Sequence, residues 1–281
     1  MIHVEQLTYT YPRTAGPAIA DLCFAIAPGE IFGFLGPSGA GKSTTQNILI
    51  GLRKGYRGSV QIFGREMNTW GADYYERIGV SFELPNHFLK LTALENLRYF
   101  GALYHRSPHD PRAVLEMVGL GMDANTPVTQ FSKGMQNRLN LARALAHEPE
   151  LLFLDEPTSG LDPVNVRLVC DLIRAQRAAG RTVVLTTHNM AIAEGLCDRV
   201  AFIVDGQIRL IDTPRALRLR YGEPCVHVEY GDDQTHHFPL DGLGTNQEFL
   251  HLLRERPIQT IHSQEATLDD IFIRVTGRSL A

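Results

Sequence analysis

The stretch that decides the fold is Ile31-Phe-Gly-Phe-Leu-Gly-Pro-Ser-Gly-Ala-Gly-Lys-Ser-Thr44. Residues 31–35 are mostly apolar and predict a buried strand, and the residues up to Leu49 are compatible with a helix. Between them lies a glycine-rich loop with the spacing G-x-x-x-x-G-K-[ST], in the strand–loop–helix setting that a phosphate-binding loop requires. Backbone amides in such a loop and at a helix N-terminus bind anions. The stretch therefore predicts an α/β protein that binds a nucleoside triphosphate.

The loop supplies a continuous set of candidate nucleotide-binding residues. Lys42 is expected to reach the β- and γ-phosphates, and the Ser43 hydroxyl to ligate Mg²⁺. An ordinary glycine-rich turn is the alternative, and the strand, the lysine and the serine together favour the nucleotide site. The candidates are Gly36, Pro37, Ser38, Gly39, Ala40, Gly41, Lys42, Ser43 and Thr44.

Composition restricts the class of protein. The chain has 281 residues, 44% hydrophobic and 21% charged, as expected for a globular protein of one large and one small domain. A net charge of −4 disfavours nucleic acid as the main partner. We find no apolar run of the roughly 18 residues that span a bilayer and no signal peptide. The four cysteines lack C-x-x-C spacing, so we expect reduced thiols in a cytoplasmic protein that reaches a membrane only through a partner chain.

Two further strands end in residues suited to phosphate chemistry. The apolar run Leu151–Leu154 predicts a buried parallel strand and leads into Asp155 and Glu156. We expect Asp155 to hold Mg²⁺ through water and Glu156 to accept a proton from the attacking water. His188 follows the predicted strand 182–187 and could contact the γ-phosphate, although a histidine at this place is also a common helix cap.

Other segments predict the domain plan and one more contact. Residues 84–147 have helical patterns and predict a helical subdomain inserted into the sheet domain. The composition shifts near residue 221, and residues 221–281 predict a small α+β appendage in which His236-His237 is a surface pair rather than a metal site. Tyr11 could stack on a base or simply pack on the sheet.

At this point the sequence resembles a known family, the ATP-binding subunits of ATP-binding cassette (ABC) transporters. The resemblance runs through residues 1–220 and implies a P-loop cassette with a mixed sheet. Six motifs occur in order: Tyr11 for the adenine-stacking aromatic, Gly36–Thr44 for Walker A, Phe131-Ser-Lys-Gly-Met135 for the signature, Leu151–Glu156 for Walker B, Ser159-Gly-Leu-Asp162 for the D-loop and His188 for the switch histidine.

The resemblance implies a mechanism and a set of partners. Two such subunits pack head to tail, as an expected homodimer, with two ATP molecules between them. Ser132 and Gly134 of one subunit are implied to bind the γ-phosphate that Lys42 of the other holds, with Glu156 and His188 acting in catalysis. The helical subdomain is implied to dock on an integral membrane permease, which places the protein at the inner face of the cell membrane.

At two places the sequence departs from the family pattern, and both departures resemble particular branches of exporter subunits. Lys133 and Met135 replace glycine and glutamine of the signature, a form that resembles subunits serving drug, peptide-antibiotic and polysaccharide exporters. Glu83 stands where the family usually has a glutamine that ligates Mg²⁺, which resembles the branch that expels lantibiotics. We expect Glu83 to ligate Mg²⁺ or to tune coupling to the permease; a solvated loop acid is the alternative.

The leading interpretation is ATP hydrolysis that drives export of a drug, antimicrobial peptide or similar compound. The segment Ala266–Phe272 resembles the C-terminal segment of exporter subunits. A cassette ATPase that acts on ribosomes or DNA is the alternative, but this chain has one cassette, no sustained heptads and no basic excess. A small-molecule kinase would leave the signature and Glu156 without a role.

Overall fold

The structure is a computed structural model of the whole chain, and it contains two compact units. It describes residues 1–105, 110–222, 225–231, 234–264 and 266–278. The first unit is Met1–Asp212, and the second begins at Thr213. Each unit has its own hydrophobic core.

The strands of the first unit form two sheets, and those of the second unit form one. In chain order, the strands are β1 Ile2–Tyr9, β2 Ile19–Ile26, β3 Ile31–Leu35, β4 Arg57–Ile62, β5 Arg65–Glu66, β6 Ile78–Ser81, β7 Leu151–Asp155, β8 Thr182–Thr187, β9 Arg199–Val204, β10 Gln207–Asp212, β11 Cys225–Tyr230, β12 Gln234–Pro239 and β13 Ile258–Gln264.

The helices of the described residues divide between the same two units. They are α1 Lys42–Leu49, α2 Ala93–Gly101, α3 Pro111–Met117, α4 Lys133–Leu145, α5 Pro163–Ala178, α6 Met190–Leu196, α7 Pro214–Tyr221, α8 Gln247–Glu255 and α9 Leu268–Thr276. None of these helices is long and apolar enough to cross a membrane.

The central sheet has the order β10-β9-β3-β8-β7-β6. Its strands run parallel except β10, which returns antiparallel to β9 through Asp205-Gly206. All five residues of β3 and all six of β8 are buried, as expected for strands covered on both faces. The predicted mixed sheet is confirmed, and the carboxyl ends of β3, β7 and β8 lie at one edge.

A second, antiparallel sheet of order β2-β1-β4-β5 packs on the central sheet. Phe24 from β2 meets Phe32 and Phe34 from β3, with ring centroids 6.1 Å and 5.2 Å away. All three rings are buried. Each such aromatic side chain contributes roughly 2–3 kcal/mol of hydrophobic stabilisation, so the junction holds β3 and the loop after it firmly in place.

The helical subdomain lies between β6 and β7 and contains α2, α3 and α4. Each helix begins at a side-chain cap: Thr92 with a reciprocal capping box to Glu95, Asp110 before Pro111, and Ser132 before α4. An N-cap of this kind stabilises a helix by about 1 kcal/mol. The apolar faces of the three helices share one core, which includes Leu97, Val114, Leu115, Leu120 and Leu139.

The second unit is a three-stranded sheet of order β12-β11-β13 with helices α7, α8 and α9. Val226, Val228 and Phe238 of the sheet pack with Leu252 of α8 in its core. The capping box predicted at Thr267 and Asp270 is present and opens α9. This arrangement is the α+β appendage expected from the sequence.

Sequence patterns miss some of the second unit. Strand β12 has the sequence Gln-Thr-His-His-Phe-Pro, which lacks the apolar alternation of a strand, and it forms because it pairs with β11 along its whole length. Helix α7 is not predicted from the sequence because only Pro214 and Leu217 of this short segment are buried, so the segment has little apolar periodicity. The boundary expected at residue 220 therefore falls inside α7, and the division into units comes earlier, after Asp212.

Histidines of β12 gain neighbours that the sequence does not indicate. His237 pairs across the ladder with His227, with ring centroids 4.5 Å apart, and His227 pairs on its other side with His262. His236 points to the opposite face, where it stacks on Phe238 and pairs with Glu248 at 3.2 Å. Among the described residues, no group of three or more His, Cys, Asp or Glu side chains is arranged to hold a metal ion.

His87 joins the loop after β6 to helix α4. The side chain is 8% exposed. Its Nε2 lies 2.9 Å from the Gln136 carbonyl oxygen, and its Nδ1 lies 3.3 Å from the Arg143 guanidinium. A neutral ring satisfies both contacts, because Nε2–H donates to the carbonyl while Nδ1 accepts from arginine. Burial lowers the pKa of His87 below its ordinary value of 6.5; the hydrogen bond to the Gln136 carbonyl opposes this decrease, and the nearby Arg143 charge adds to it.

We expect the stability of the protein to fall in mild acid through this histidine. The folded state binds the His87 proton less readily than the unfolded chain, so the neutral ring supports stability above pH 6.5 that is lost as the pH falls below it. Thermal unfolding between about pH 7.5 and about pH 5.5 should show a smaller decrease for His87→Gln, which keeps an amide donor and does not titrate. Parallel pH profiles for the two proteins would contradict this account.

Candidate nucleotide-binding site

A pocket of about 330 Å³ opens at the carboxyl edge of the central sheet. Backbone and side chains of the loop between β3 and α1 form one wall. The other lining residues come from three separate strand ends: Glu83 after β6, Glu156 after β7 and His188 after β8. The structure therefore brings together most of the residues that the sequence predicts for phosphate chemistry.

The loop takes its shape from close backbone contacts. A β-carbon on Gly36 would lie 2.1 Å from the Ile203 carbonyl oxygen of β9, so only glycine fits there. Gly41, with φ +107°, precedes the first helical residue, Lys42. Residues Ser38–Thr44, which include the start of α1, line the pocket, and a glycine-rich loop that leads into a helix N-terminus is a common binding site for a phosphate chain.

Lys42 is held inside the loop that it serves. The residue is 8% exposed, and its Nζ donates to the carbonyl oxygens of Gly36 at 2.6 Å and Pro37 at 3.0 Å. Burial lowers the pKa of Lys42, while the negative charges of Glu156, Asp155 and Glu83 oppose that decrease. Among the described residues that line the pocket, Lys42 carries the one ammonium group, and the charges of three carboxylates act on it.

Asp155 ends β7 beside the start of α1. Its Oδ1 accepts a hydrogen bond from Ser43 Oγ at 3.3 Å and another from the Thr186 hydroxyl. Asp155 is directly opposite Thr186 in the parallel ladder between β7 and β8, so the threonine orients the carboxylate. The carboxylate and the Ser43 hydroxyl, on two different elements, thus face the same point.

Glu156 adopts a conformation that is rare for a residue with a side chain. Its φ is +46°, in the left-handed region. The backbone is kept there by two hydrogen bonds from the Glu156 amide, to the Thr186 carbonyl at 3.1 Å and to its hydroxyl at 3.2 Å. Such strain costs on the order of 1–3 kcal/mol and is concentrated at functional sites.

The Glu156 carboxylate is also fixed at its tip. Oε1 lies 2.8 Å from His188 Nδ1, and Oε2 accepts from Thr187 Oγ1 at 3.3 Å. His188 is more than half exposed, whereas the Glu156 side chain is 11% exposed. His188 and Asp155 lie at the same edge of the sheet, because β7 and β8 are parallel neighbours.

Three groups near the pocket are suited to a hard divalent cation. Ser43 and Asp155 offer a hydroxyl and a carboxylate oxygen on adjacent elements, and Glu83 adds a carboxylate in the lining. Mg²⁺ prefers oxygen ligands and is usually held by one or two carboxylates together with waters and substrate phosphates.

Some of the sequence-predicted site residues are not in the pocket lining: Gly36, Pro37 and Asp155 lie directly beside it, and the others are Tyr11, Ser132 and Gly134. Tyr11 follows β1; its hydroxyl lies 3.0 Å from Thr44 Oγ1, and the Arg53 guanidinium lies 5.3 Å from its ring centre. Ser132 caps α4, with its hydroxyl accepting from the Met135 amide at 3.2 Å. Gly134 follows in the first turn of α4. None of the three lines the pocket.

Two site residues were missed from the sequence. Thr186 and Thr187 bond the carboxylates of Asp155 and Glu156, respectively. The signal was available, because the apolar run Val183-Val184-Leu185 of β8 is followed by two hydroxyl residues at the strand end, next to the predicted acids. A polar ending on a buried parallel strand indicates that the side chains serve a site at that edge.

The fold and the pocket together define a P-loop nucleoside triphosphatase with an inserted helical subdomain. Comparison with known proteins gives the family. The family model described as ABC transporter matches residues 19–159, and the model described as Fluoroquinolone efflux ABC transporter C-terminal domain matches residues 225–265.

Curated proteins extend the match over the whole chain. The fluoroquinolones export ATP-binding protein of Mycobacterium tuberculosis is 54% identical over 284 residues, covering 100% of this chain and 94% of that protein. The Nod factor export ATP-binding protein I of Rhizobium johnstonii is 35% identical, covering 93% of this chain and 91% of that protein.

Solved structures similar to this chain are also ATP-binding cassettes of ABC transporters. A dimeric ATP-binding cassette in a post-hydrolysis state, bound to ADP and Pi, superposes with a TM-score of 0.69 and 30% sequence identity, covering 76% of this chain and 98% of the other. The chain therefore belongs to the ABC transporter family as an ATP-binding cassette, and its site is a nucleotide-binding ATPase site of that family.

We expect the loop to tolerate alanine very differently at two of its glycines. Gly36→Ala forces a methyl group against the Ile203 carbonyl and should lower the free energy of unfolding by about 3 kcal/mol. Gly39→Ala is the matched control: it has φ +78° but open space around it, so only the left-handed backbone costs about 1 kcal/mol. Urea unfolding measures both, and equal losses would contradict the close-contact argument.

Proposed function

We propose that this protein is the ATP-hydrolysing subunit of an exporter and powers efflux of a drug, antimicrobial peptide or similar compound through a separate membrane permease. The observation that carries the proposal is the pocket in which Lys42, Glu156 and His188 meet. The named export function of its relatives gives the direction of transport, and the C-terminal match to a fluoroquinolone efflux domain supports a drug as cargo.

In this proposal the loop of residues 36–44 holds the triphosphate. Amides of the loop and of the first turn of α1 donate to phosphate oxygens, and the Lys42 ammonium moves from its loop carbonyls to the β- and γ-phosphates. Burial of the ammonium supports this role, since its charge acts in a site of low dielectric constant.

Glu156 is the proposed general base. It accepts a proton from the water that attacks the γ-phosphate, and His188 orients the carboxylate through their 2.8 Å contact. His188 is exposed enough to contact the γ-phosphate with its other ring nitrogen. The strained backbone of Glu156 supports a functional role.

Mg²⁺ is the proposed metal, held by Ser43, Asp155 and Glu83. When bound, it neutralises charge on the phosphates. The charge balance of the pocket supports it, because one ammonium and three carboxylates would otherwise repel a triphosphate. Glu83 adds one negative charge to the pocket, whereas the glutamine usual in the family is neutral.

A second ATP-binding subunit completes the site in this proposal. Ser132 and Gly134 stand at the N-terminal turn of α4, a 13-residue helix, and Ser132 is exposed. Free amides and the helix dipole at such a turn attract a phosphate. A head-to-tail homodimer would apply this turn to the γ-phosphate of the partner, and the dimeric cassette among the similar structures supports the assembly. In the subunit whose loop holds the phosphates, we propose that Tyr11 contacts the adenine ring.

The helical subdomain carries a surface suited to the permease. Large apolar side chains there are between 43% and 80% exposed, and the rings of Phe88 and Tyr99 are 4.7 Å apart. Patches of this kind mark interaction sites. Docking on it would place the protein at the cytoplasmic face of the cell membrane. The patch consists of Phe82, Leu84, Phe88, Leu89 and Tyr99.

We propose no nucleic acid partner, and the export names of the relatives argue against the ribosome or DNA alternative.

The proposal predicts that Glu156→Gln separates binding from hydrolysis. Loss of a general base should slow ATP hydrolysis by about 10²- to 10⁴-fold, while ATP affinity is retained and ATP with Mg²⁺ traps a stable dimer. In cells that express the protein with its co-purifying permease, fluoroquinolone accumulation should rise to the level of cells without the protein.

The control for this test is Glu116→Gln, an exposed acid on α3 that does not line the pocket. It should leave hydrolysis and efflux unchanged. A Glu156→Gln protein that remains monomeric with ATP and Mg²⁺ yet hydrolyses ATP normally would refute the mechanism. Sedimentation with ribosomes, in place of co-purification with a polytopic membrane protein, would refute the export function.

Glu83→Gln tests the proposed metal ligand. Replacing the carboxylate by the neutral amide should raise the Mg²⁺ concentration for half-maximal ATP hydrolysis by on the order of tenfold. Efflux-linked resistance should change with it. If the half-maximal Mg²⁺ concentration, ATP turnover and resistance all match those of the unaltered protein, Glu83 is a solvated loop acid.

A further inference from the structure

We propose that Asn140 of helix α4 is a positioning residue that sets the place of Glu83 in the phosphate pocket, together with Arg143 one turn later. The two side chains hold opposite ends of the segment Phe82–Asn86, which we call the Glu83 segment. This inference rests on the proposed function, because it assigns Asn140 a role that acts through Glu83.

The first end of the Glu83 segment is held by a buried amide. Asn140 is 5% exposed, and its Nδ2 donates to Ser81 Oγ at 3.0 Å and to the Phe82 carbonyl oxygen at 2.7 Å. The flanking residues Leu139 and Leu141 are buried in apolar surroundings. Burying a polar side chain at such a helix position costs free energy unless the side chain is hydrogen-bonded. The hydrogen bond from the Asn140 amide to the Phe82 carbonyl offsets that cost, and an apolar residue at this position could not make it.

The second end is held by a guanidinium group. Arg143 Nη1 donates to the Asn86 carbonyl oxygen at 2.6 Å and to His87 Nδ1 at 3.3 Å. The guanidinium carbon lies 3.4 Å from the centre of the Phe100 ring, which restricts its position further. Asn140 and Arg143 are three residues apart and share one helix face, so a single rigid element holds both ends.

The residues between the two ends are positioned by those ends rather than by hydrogen bonds of their own. No hydrogen bond of the described residues involves Glu83, Leu84 or Pro85. Glu83 lines the phosphate pocket, where its charge acts on Lys42, and Leu84 is 80% exposed. A short span fixed at both ends has few conformations, so the two bonds from α4 limit where the Glu83 carboxylate can lie.

A purely structural role for Asn140 is the competing explanation. In that case the amide only satisfies the Phe82 carbonyl and stabilises the packing of α4 on β6. The two explanations differ in one measurable respect: a positioning role needs the Glu83 carboxylate, whereas a structural role does not. A double-mutant cycle separates the two explanations because it measures the energetic coupling between Asn140 and Glu83 directly.

The experiment uses the full chain with Asn140→Ala, Glu83→Ala and the double variant. A fluorescent ATP analogue gives ATP affinity with Mg²⁺ and with EDTA, and the ratio of the two is the Mg²⁺-dependent gain in binding. We expect Asn140→Ala to reduce this gain about fivefold when Glu83 is present and less than about twofold when it is alanine. Ser81→Ala removes the other partner of Asn140 and should have little effect.

Equal reductions with and without Glu83 would overturn the proposal in favour of a structural role. So would an unchanged gain in Glu83→Ala, an outcome that leaves nucleotide binding and export standing because they do not require this residue. If Asn140→Ala unfolds, Arg143→Lys tests the other end: it keeps the charge but loses the planar fork, and we expect the same Glu83-dependent reduction. Melting temperatures identify variants that are merely unstable.

Discussion

The nucleotide pocket depends on three parallel strands that end level with one another. In the ladders, Leu35 at the end of β3 stands opposite Thr187 of β8, and Asp155 at the end of β7 stands opposite Thr186. A slip of one residue along a strand would move each group by about 3.3 Å, more than a hydrogen bond tolerates. The buried faces of β3, β7 and β8 fix this register, so the hydrophobic core determines where the charges of the site lie.

The charges of the site are not balanced among the protein groups themselves. The Lys42 ammonium is buried, and the carboxylates of Glu83, Asp155 and Glu156 stand around it. Threonine hydroxyls and the His188 ring hold two of the carboxylates by hydrogen bonds, which reduces the cost of keeping them close together. The pocket is thus prepared for a substrate that brings both phosphates and a cation.

Short motifs with strict geometry could be predicted from the sequence, and pairings between distant segments could not. The loop before Lys42 and the acids Asp155 and Glu156 were predictable because the glycines, the lysine and the strand-end carboxylates each have one physical use in that order. Strand β12 was missed because its residues become a strand only through pairing with β11. The contacts of Asn140 and His87 join residues more than 45 positions apart, and no local pattern reports them.

The division of the chain after Asp212 has an evolutionary consequence. The second unit packs Val226, Val228, Phe238 and Leu252 in a core of its own, and the strands that carry the phosphate pocket all precede the division. Recombination at this point can therefore exchange the C-terminal unit without opening the core around β3. Selection can alter the accessory unit to suit a new assembly while the ATPase machinery remains unchanged.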